Sequence, residues 1–298
     1  MEGKIWMGWR KISVAVPASL VSDTPHLREK TGKLGLVARA CSIFQVSEIV
    51  IYGDDARREQ KGDIELCMQI LRFVETPQYL RRRVFRLTSS LRYAGILPPL
   101  QTPPHNVSHS IRECKVGDWR EGVIVSGRGN DLLVDVGLEK VLEATGDYPV
   151  GRRVTTKITK IAKNLVGEIV DKMKIGVAEP STSQTYWGYE VTNANSALGK
   201  YVKNRDFDLK IGTSRYGSPV RSVWSRLTLS LKSAKEMMIA FGSPKIGLKE
   251  ILAQEGEIPE DVFDYYVNTV RDQGVATVRT EEAVLISLGI LNLATSIY

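Results

Sequence analysis

The sequence predicts an α/β protein interrupted by a small OB-like β-barrel. Three observations carry that expectation. Strand and helix periodicities alternate over residues 12–74, five short strands divided by turn signals occupy residues 122–170, and an α/β alternation returns over residues 208–293. The chain of 298 residues has room for more than one core. Its 43% hydrophobic and 25% charged residues exclude disordered and fibrous classes.

Residues 12–16 are a short apolar run suited to a buried parallel strand. Arg10 and Lys11 ahead of residues 12–21 imitate a signal peptide, but Pro17 breaks the run and no A-x-A pattern follows, so this reads as a strand with its exit turn. Leu34, Val37, Ala38, Cys41 and Phe44 recur at three- and four-residue spacing, which is one face of a helix. Residues 49–52 make a β-branched strand, and residues 64–74 a helix whose apolar face is Leu66, Ile70, Leu71 and Val74, punctuated by Pro77. Pro98, Pro99, Pro103 and Pro104 remove backbone donors and mark a boundary. Beyond it, strands are expected at residues 122–125, 132–136, 140–144, 154–161 and 165–170, with turns at Gly127-Arg128-Gly129-Asn130, Gly137, Gly146-Asp147 and Asn164. The α/β pattern then resumes: strands at 208–211, 237–241 and 265–268, and helices at 223–231, 248–254 and 281–293. Residues 1–104 and 181–298 are thus expected to be two halves of one α/β domain, with the barrel of residues 105–180 inserted between them.

Charge is segregated along this chain. Lys and Arg number 41 against 34 Asp and Glu, for a formal +7. Residues 57–92 carry nine basic and four acidic side chains and residues 195–235 nine and two, whereas residues 236–298 carry four and ten. A local positive field points to a phosphate-bearing partner, with Arg81, Arg82, Arg83 and Arg86 as its candidate contacts. A solvated basic face is the plainer explanation.

Several chemistries are excluded. Cys41, Cys67 and Cys114 are odd in number and widely spaced, which gives neither a disulfide framework nor a metal clip and suits a reducing, cytoplasmic setting. No run approaches the apolar length of a membrane span. His105 and His109 have an i,i+4 spacing, but the prolines before them favour a loop and no fourth ligand is in view, so no metal is expected. There is no GxSxG elbow, and three histidines leave little material for a triad. The turn at residues 241–247 fails as a P-loop because Lys249 does not directly follow Gly247 and no Ser or Thr comes after it. Asn106-Val107-Ser108 matches a glycosylation acceptor that matters only in a secreted protein, and it is set aside.

Two strand-to-helix passages remain, residues 241–248 and 268–283. In the second, Asn268 closes a strand, Gly274 permits backbone shapes closed to other residues, and Thr280 caps a helix with Glu281 and Glu282 in its first turn. Both could be ordinary β-to-α turns. Blocks in order along nearly the whole chain, however, resemble the SPOUT superfamily of RNA methyltransferases, in its archaeal and eukaryotic branch with an inserted barrel. They are Arg39-Ala-Cys-Ser-Ile-Phe44 before residues 47–52, Thr76-Pro-Gln-Tyr-Leu-Arg81, residues 91–100, Ile211-Gly-Thr-Ser-Arg-Tyr-Gly217, Gln273-Gly274 and Thr277-Val-Arg-Thr-Glu-Glu-Ala283.

The resemblance implies a parallel sheet with a C-terminal trefoil knot, an exception to the rule against threaded chains. It implies S-adenosylmethionine as methyl donor, held largely by backbone groups. Thr213 and Ser214 would line it, with Phe241, Gly242, Ser243, Gly247 and Leu248 from the first passage. Asn268, Gln273, Gly274, Thr277, Val278, Thr280, Glu281 and Ala283 would come from the second. The branch's usual Pro-Gly-Gln-Gly reads Arg271-Asp272-Gln273-Gly274 here. A homodimer is implied, as is an RNA substrate, ribosomal RNA first, and the R-T-E motif shared with uridine-N3 methyltransferases points to uridine N3. Arg39, His105, Arg215 and Arg279 are candidates for handling the acceptor's proton or the charge it leaves, and Arg28 is a further one. The competing expectation is a non-catalytic RNA-binding or ribosome-assembly factor using the knot as a scaffold.

Overall fold

A computed structural model describes residues 11–105, 108–171 and 186–295. Asn106 and Val107 of the acceptor triplet, and Pro180 at the expected barrel boundary, lie outside them. The chain divides into two compact units: one contains the described parts of Met1–Arg72, Ser90–Pro98 and Tyr189–Tyr298, the other Phe73–Ser89 and Pro99–Gly188.

The first unit opens with β1 (Lys11–Pro17), whose Val14, Ala15 and Val16 are fully buried. Helix α1 (Leu27–Ile43) follows, then β2 (Glu48–Tyr52) and α2 (Lys61–Glu75), whose last three residues are counted in the second unit. Helix α1 starts seven residues before the apolar stripe at Leu34. Its first turns bury polar groups that periodicity cannot count: Thr31 donates to Leu27 O at 2.8 Å, and Lys33, 8% exposed, is ion-paired with Asp23.

The second unit contains α3 (Arg81–Val84) and the strands β3 (Trp119–Arg128), β4 (Asp131–Asp135), β5 (Leu142–Thr145), β6 (Arg153–Ile161) and β7 (Leu165–Val170). They close a barrel in the order β3-β4-β5-β7-β6, in which β5 and β7 are the parallel pair. Ile124, Val134, Val136, Leu142 and Ile158 fill it. The segment Phe73–Ser89, expected in the α/β part, belongs here for electrostatic reasons. Arg153 bridges two buried carboxylates, Glu75 and Glu121 at 2.5 Å each, and Trp187 Nε1 and Thr155 Oγ1 donate to Glu121 Oε1. Tyr79 OH donates to Glu121 O at 3.0 Å, and its ring packs so closely on Gly137 that a Cβ there would sit 2.3 Å away.

The first unit then continues with β8 (Glu190–Asn193), α4 (Leu198–Lys203), β9 (Leu209–Pro219), α5 (Trp224–Ser233), β10 (Glu236–Phe241), α6 (Leu248–Ala253), α7 (Pro259–Val262), β11 (Tyr265–Asn268) and α8 (Thr280–Thr295). The six strands lie in the order β11-β9-β10-β1-β2-β8, every pairing parallel. N- and C-terminal segments therefore build one sheet. Strand β8 and helix α4 were not expected. The strand is a four-residue edge in which Val191 is the buried hydrophobe, and the helix has six residues, so neither spans enough chain for a period to register.

Candidate functional site

In parallel sheets the exposed backbone at the carboxyl ends of strands is where ligands settle. Here the ends of β10 and β11 and residues 213–216 in the middle of β9 surround a cleft of about 240 Å³. Thr213 and Ser214 line it from β9. Phe241, Gly242, Ser243 and Gly247 line it from the passage after β10, and Asn268, Gln273, Thr277, Val278, Thr280 and Ala283 from the passage after β11 and the start of α8. Arg215 lines it too.

The walls are tied to each other by local hydrogen bonds. Thr213 Oγ1 donates to Ala240 O at 3.0 Å, and Thr280 Oγ1 to Gly242 O at 3.1 Å, so the start of α8 is fastened to the turn after β10. Asn268 Nδ2 donates to Arg215 O at 2.9 Å while its Oδ1 accepts from Val270 N at 2.9 Å. Gln273 Nε2 donates to Val275 O at 2.8 Å, closing the loop on itself. Glu282 accepts from Arg279 N at 2.9 Å, a carboxylate on an otherwise orphan helix-start donor. These bonds leave a cleft lined by Gly, Ser, Thr and Asn residues together with the larger Arg215, Tyr216, Phe241, Lys245 and Glu250. Such a wall suits a flexible, polar small molecule better than a bare ion.

Other expected residues lie elsewhere. Leu248 is in the core beside Ile251 and Leu252. Gly274 is outside the cleft lining, has no positive φ, and a Cβ on it would meet open space. The left-handed residue of that loop is Asp272, at φ 55°, two positions earlier. It stands where the family's usual motif has its first glycine. Glu281 points away from the cleft: it is 4% exposed, 3.9 Å from Lys33 Nζ, with Oε2 lacking a hydrogen-bond partner, and burial pushes its pKa up.

Of the acceptor-side candidates, Arg215 alone lines the cleft. Arg279 contributes its backbone to the α8 cap, and Arg39 sits on α1. His105 belongs to the barrel unit, with Nδ1 2.6 Å from Thr102 Oγ1 and Nε2 3.3 Å from Val74 O, and burial lowers its pKa. His109 Nδ1 is 3.1 Å from Gly137 O, and no group of three metal-ligating side chains occurs among the described residues. No described helix is long and apolar enough to cross a membrane. In the basic run, Arg81 is held by Thr76 O and Val74 O and stacks on Phe73, and Arg83 is ion-paired with Asp135. Arg82 and Arg86 are exposed.

Lys245, within the 241–248 passage, lines the cleft as well, and so do Tyr216, Glu250, Thr269 and Ser287, which were not anticipated. Ser287 had a legible signal: a polar residue four places after Ala283 in an apolar helix, fully buried and 2.8 Å from Thr269 Oγ1.

The family described as "putative RNA methyltransferase" matches residues 11–291. The chain belongs to this RNA methyltransferase family. Among curated relatives, the 28S rRNA (uridine-N(3))-methyltransferase of Mus musculus is 34% identical over 94% of this chain and 75% of its own length. Its Homo sapiens counterpart of the same name is 33% identical over 94% and 77%. An uncharacterized protein of Halobacterium salinarum is 33% identical over 94% of this chain and 98% of its own length. The cleft residues from Thr213 to Ala283 fall inside the family match.

Proposed function

We propose that this methyltransferase uses S-adenosylmethionine to methylate ribosomal RNA, with N3 of a uridine as acceptor. The observation that carries the reading is the convergence, inside the family match, of the ends of β10 and β11 with residues 213–216 of β9 on one cleft. The cofactor fits what the cleft offers: Ser214, Thr277 and Asn268 side chains and the main chain of residues 241–247, with glycine at 242 and 247. When bound, S-adenosylmethionine supplies an electrophilic methyl group.

The chain's own part is to hold two reactants in line, which can lower a transfer barrier by several kcal/mol, up to roughly 10. Uridine N3 must also lose its proton, leaving charge spread onto the neighbouring carbonyl oxygens. Arg215 is the candidate for stabilising that charge, since its guanidinium is fixed at the cleft by Ala276 O at 2.7 Å. Arg82 and Arg86, together with a barrel that we take as OB-like, would hold RNA phosphates. The reading includes the trefoil knot around the 269–279 loop, a cytoplasmic setting, and a homodimer. Leu36 and Ile43 on α1 and Leu285, Ile286 and Leu293 on α8, two helices in contact, leave apolar surface exposed for such an interface.

The test is transfer of labelled methyl groups to RNA from a strain lacking this gene, followed by nucleoside mass spectrometry. A labelled 3-methyluridine in ribosomal RNA is the expected product. Absence of transfer together with retained RNA binding would favour a scaffold protein.

A further inference from the structure

Strand β9 does not run straight beside β11. Gly212 pairs with Tyr266, yet the next residue of β11, Val267, pairs with Ser218. Residues 213–217 are therefore an excursion of one strand that has no counterpart on the other. Departures of this kind re-aim side chains beside functional sites.

The excursion is braced at several points. A Cβ on Gly217 would lie 2.6 Å from Val267 C, so glycine lets the two backbones touch. Asn268 Nδ2 holds Arg215 O at 2.9 Å, Tyr216 N donates to Ser214 Oγ at 3.2 Å, and Arg215 Nη1 donates to Ala276 O at 2.7 Å. At the tip stands Tyr216, 64% exposed. Its phenol oxygen accepts from Arg215 Nη2 at 2.7 Å, and the guanidinium carbon lies 4.7 Å from the ring centroid. Tyr216 lines the cleft, and it also lines a neighbouring hollow of about 500 Å³ together with Phe263 and Tyr266.

A ring this exposed adds little to the core, yet its backbone and its phenol are both fixed. What it offers is a presented aromatic face at the lip of the cleft. A ring nitrogen inside an RNA helix or stack is out of reach of a methyl donor, so its base must be drawn out, and the stacking lost has to be replaced. Aromatic side chains provide that replacement for any base.

We propose that Tyr216, oriented by Arg215, is the platform on which the acceptor nucleobase stacks when it is drawn out of the RNA and set over the cleft. The proposal rests on the RNA methyltransferase reading above. Arg215 spends one hydrogen on each of Ala276 O and Tyr216 OH, so further N–H groups of its guanidinium remain to face a carbonyl of the stacked base.

The experiment compares Tyr216→Phe, Tyr216→Trp, Tyr216→Leu and Tyr216→Ala with wild type. Single-turnover methyl transfer is measured on RNA from the deletion strain, and S-adenosylmethionine affinity by calorimetry. Phe and Trp keep a π-face and should stay within about threefold of wild type, while Leu and Ala should lower kcat/KM for RNA about 10- to 100-fold. S-adenosylmethionine affinity should be unchanged in all four. If Phe falls as far as Ala, the ring serves only to prop Arg215, and the platform is wrong. Leu at the wild-type rate overturns it, as does an Ala variant that loses S-adenosylmethionine affinity in step with its rate. A wild-type protein that transfers no methyl to RNA overturns the methyltransferase reading and the platform together.

Discussion

At residue scale, the loop that leads into α8 has an aspartate where left-handed backbone is required. Asp272 sits at φ 55° and is 84% exposed in its side chain, with Arg271 as an ion-pair partner 3.2 Å away in open solvent. Such an exposed pair contributes little. Asp tolerates the left-handed region better than most residues but less well than glycine. Asp272→Gly should therefore be neutral or stabilising by up to about 1 kcal/mol, and Asp272→Val should destabilise by more than that. Urea denaturation of the three proteins checks the order, and a stable Asp272→Val variant would refute the strain argument. Gly274, whose neighbourhood is open and whose φ is not positive, carries no such strain.

At the scale of elements, two buried ionic groups set how α8 and the barrel respond to change. Glu281 lies in the first turn of α8 with its pKa raised, chiefly because burial disfavours the charged form. A carboxyl whose folded pKa is raised binds its proton more tightly in the folded state. Its contribution to stability is complete below its ordinary value of 4.5 and is lost as pH rises through the raised folded value. Glu281→Gln should accordingly raise the melting temperature at pH 7 and flatten the gain that wild type shows on mild acidification. A variant that melts lower at pH 7 would mean that the Lys33 pair outweighs desolvation. In the barrel unit, Arg153 is sandwiched by Glu75 and Glu121, whose side chains are 6% and 3% exposed. Removing the cation strands two buried carboxylates, so Arg153→Ala should cost about 3 kcal/mol or more in a denaturant titration. Val154 or Ile158 trimmed by one methylene should cost about 1 kcal/mol, which makes the ionic tie the more sensitive of the two probes.

At the scale of the whole molecule, charge and exposed apolar surface separate two expected partners. Arg81 is held by backbone carbonyls and Arg83, though exposed, is ion-paired with Asp135, which leaves Arg82 and Arg86 as the other exposed cations of the run. Arg82→Ala with Arg86→Ala should reduce the slope of log affinity for RNA against log salt by about 2, with little change in sequence preference. An unchanged slope would remove this run from the RNA surface. The apolar face of α1 and α8 leads to a different measurement. Leu285→Glu combined with Leu293→Glu places charge at positions 46% and 57% exposed, so the monomer should keep its fold. Sedimentation should then show a dimer for wild type and a monomer for the variant, and methyl transfer should fall if the partner subunit completes the site. A wild-type monomer with full activity would sink the dimer.

Sequence alone determined the elements whose side chains alternate between core and solvent over several turns. Strands β1, β2, β10 and β11, most of α8 and the five barrel strands were legible because hydrophobic period is a local property, and burial in a parallel sheet reads as a continuous apolar run. Thr213 and Thr280, which line the cleft, were marked for another reason: they belong to the blocks 211–217 and 277–283 that carry the family resemblance, while Gly242 and Asn268 were marked by their strand-to-helix passages. Tertiary structure decided what no local pattern holds. It turned Glu281 inward to Lys33 and left Thr280 at the cleft, because adjacent helix positions point about 100° apart. It gave Phe73–Ser89 to the barrel unit through ion pairs between residues some 80 positions apart in the chain. It also placed Tyr216 at the cleft lip, because the excursion that presents the ring exists only where β9 meets β11, and strand pairing between distant segments leaves no mark in either segment alone.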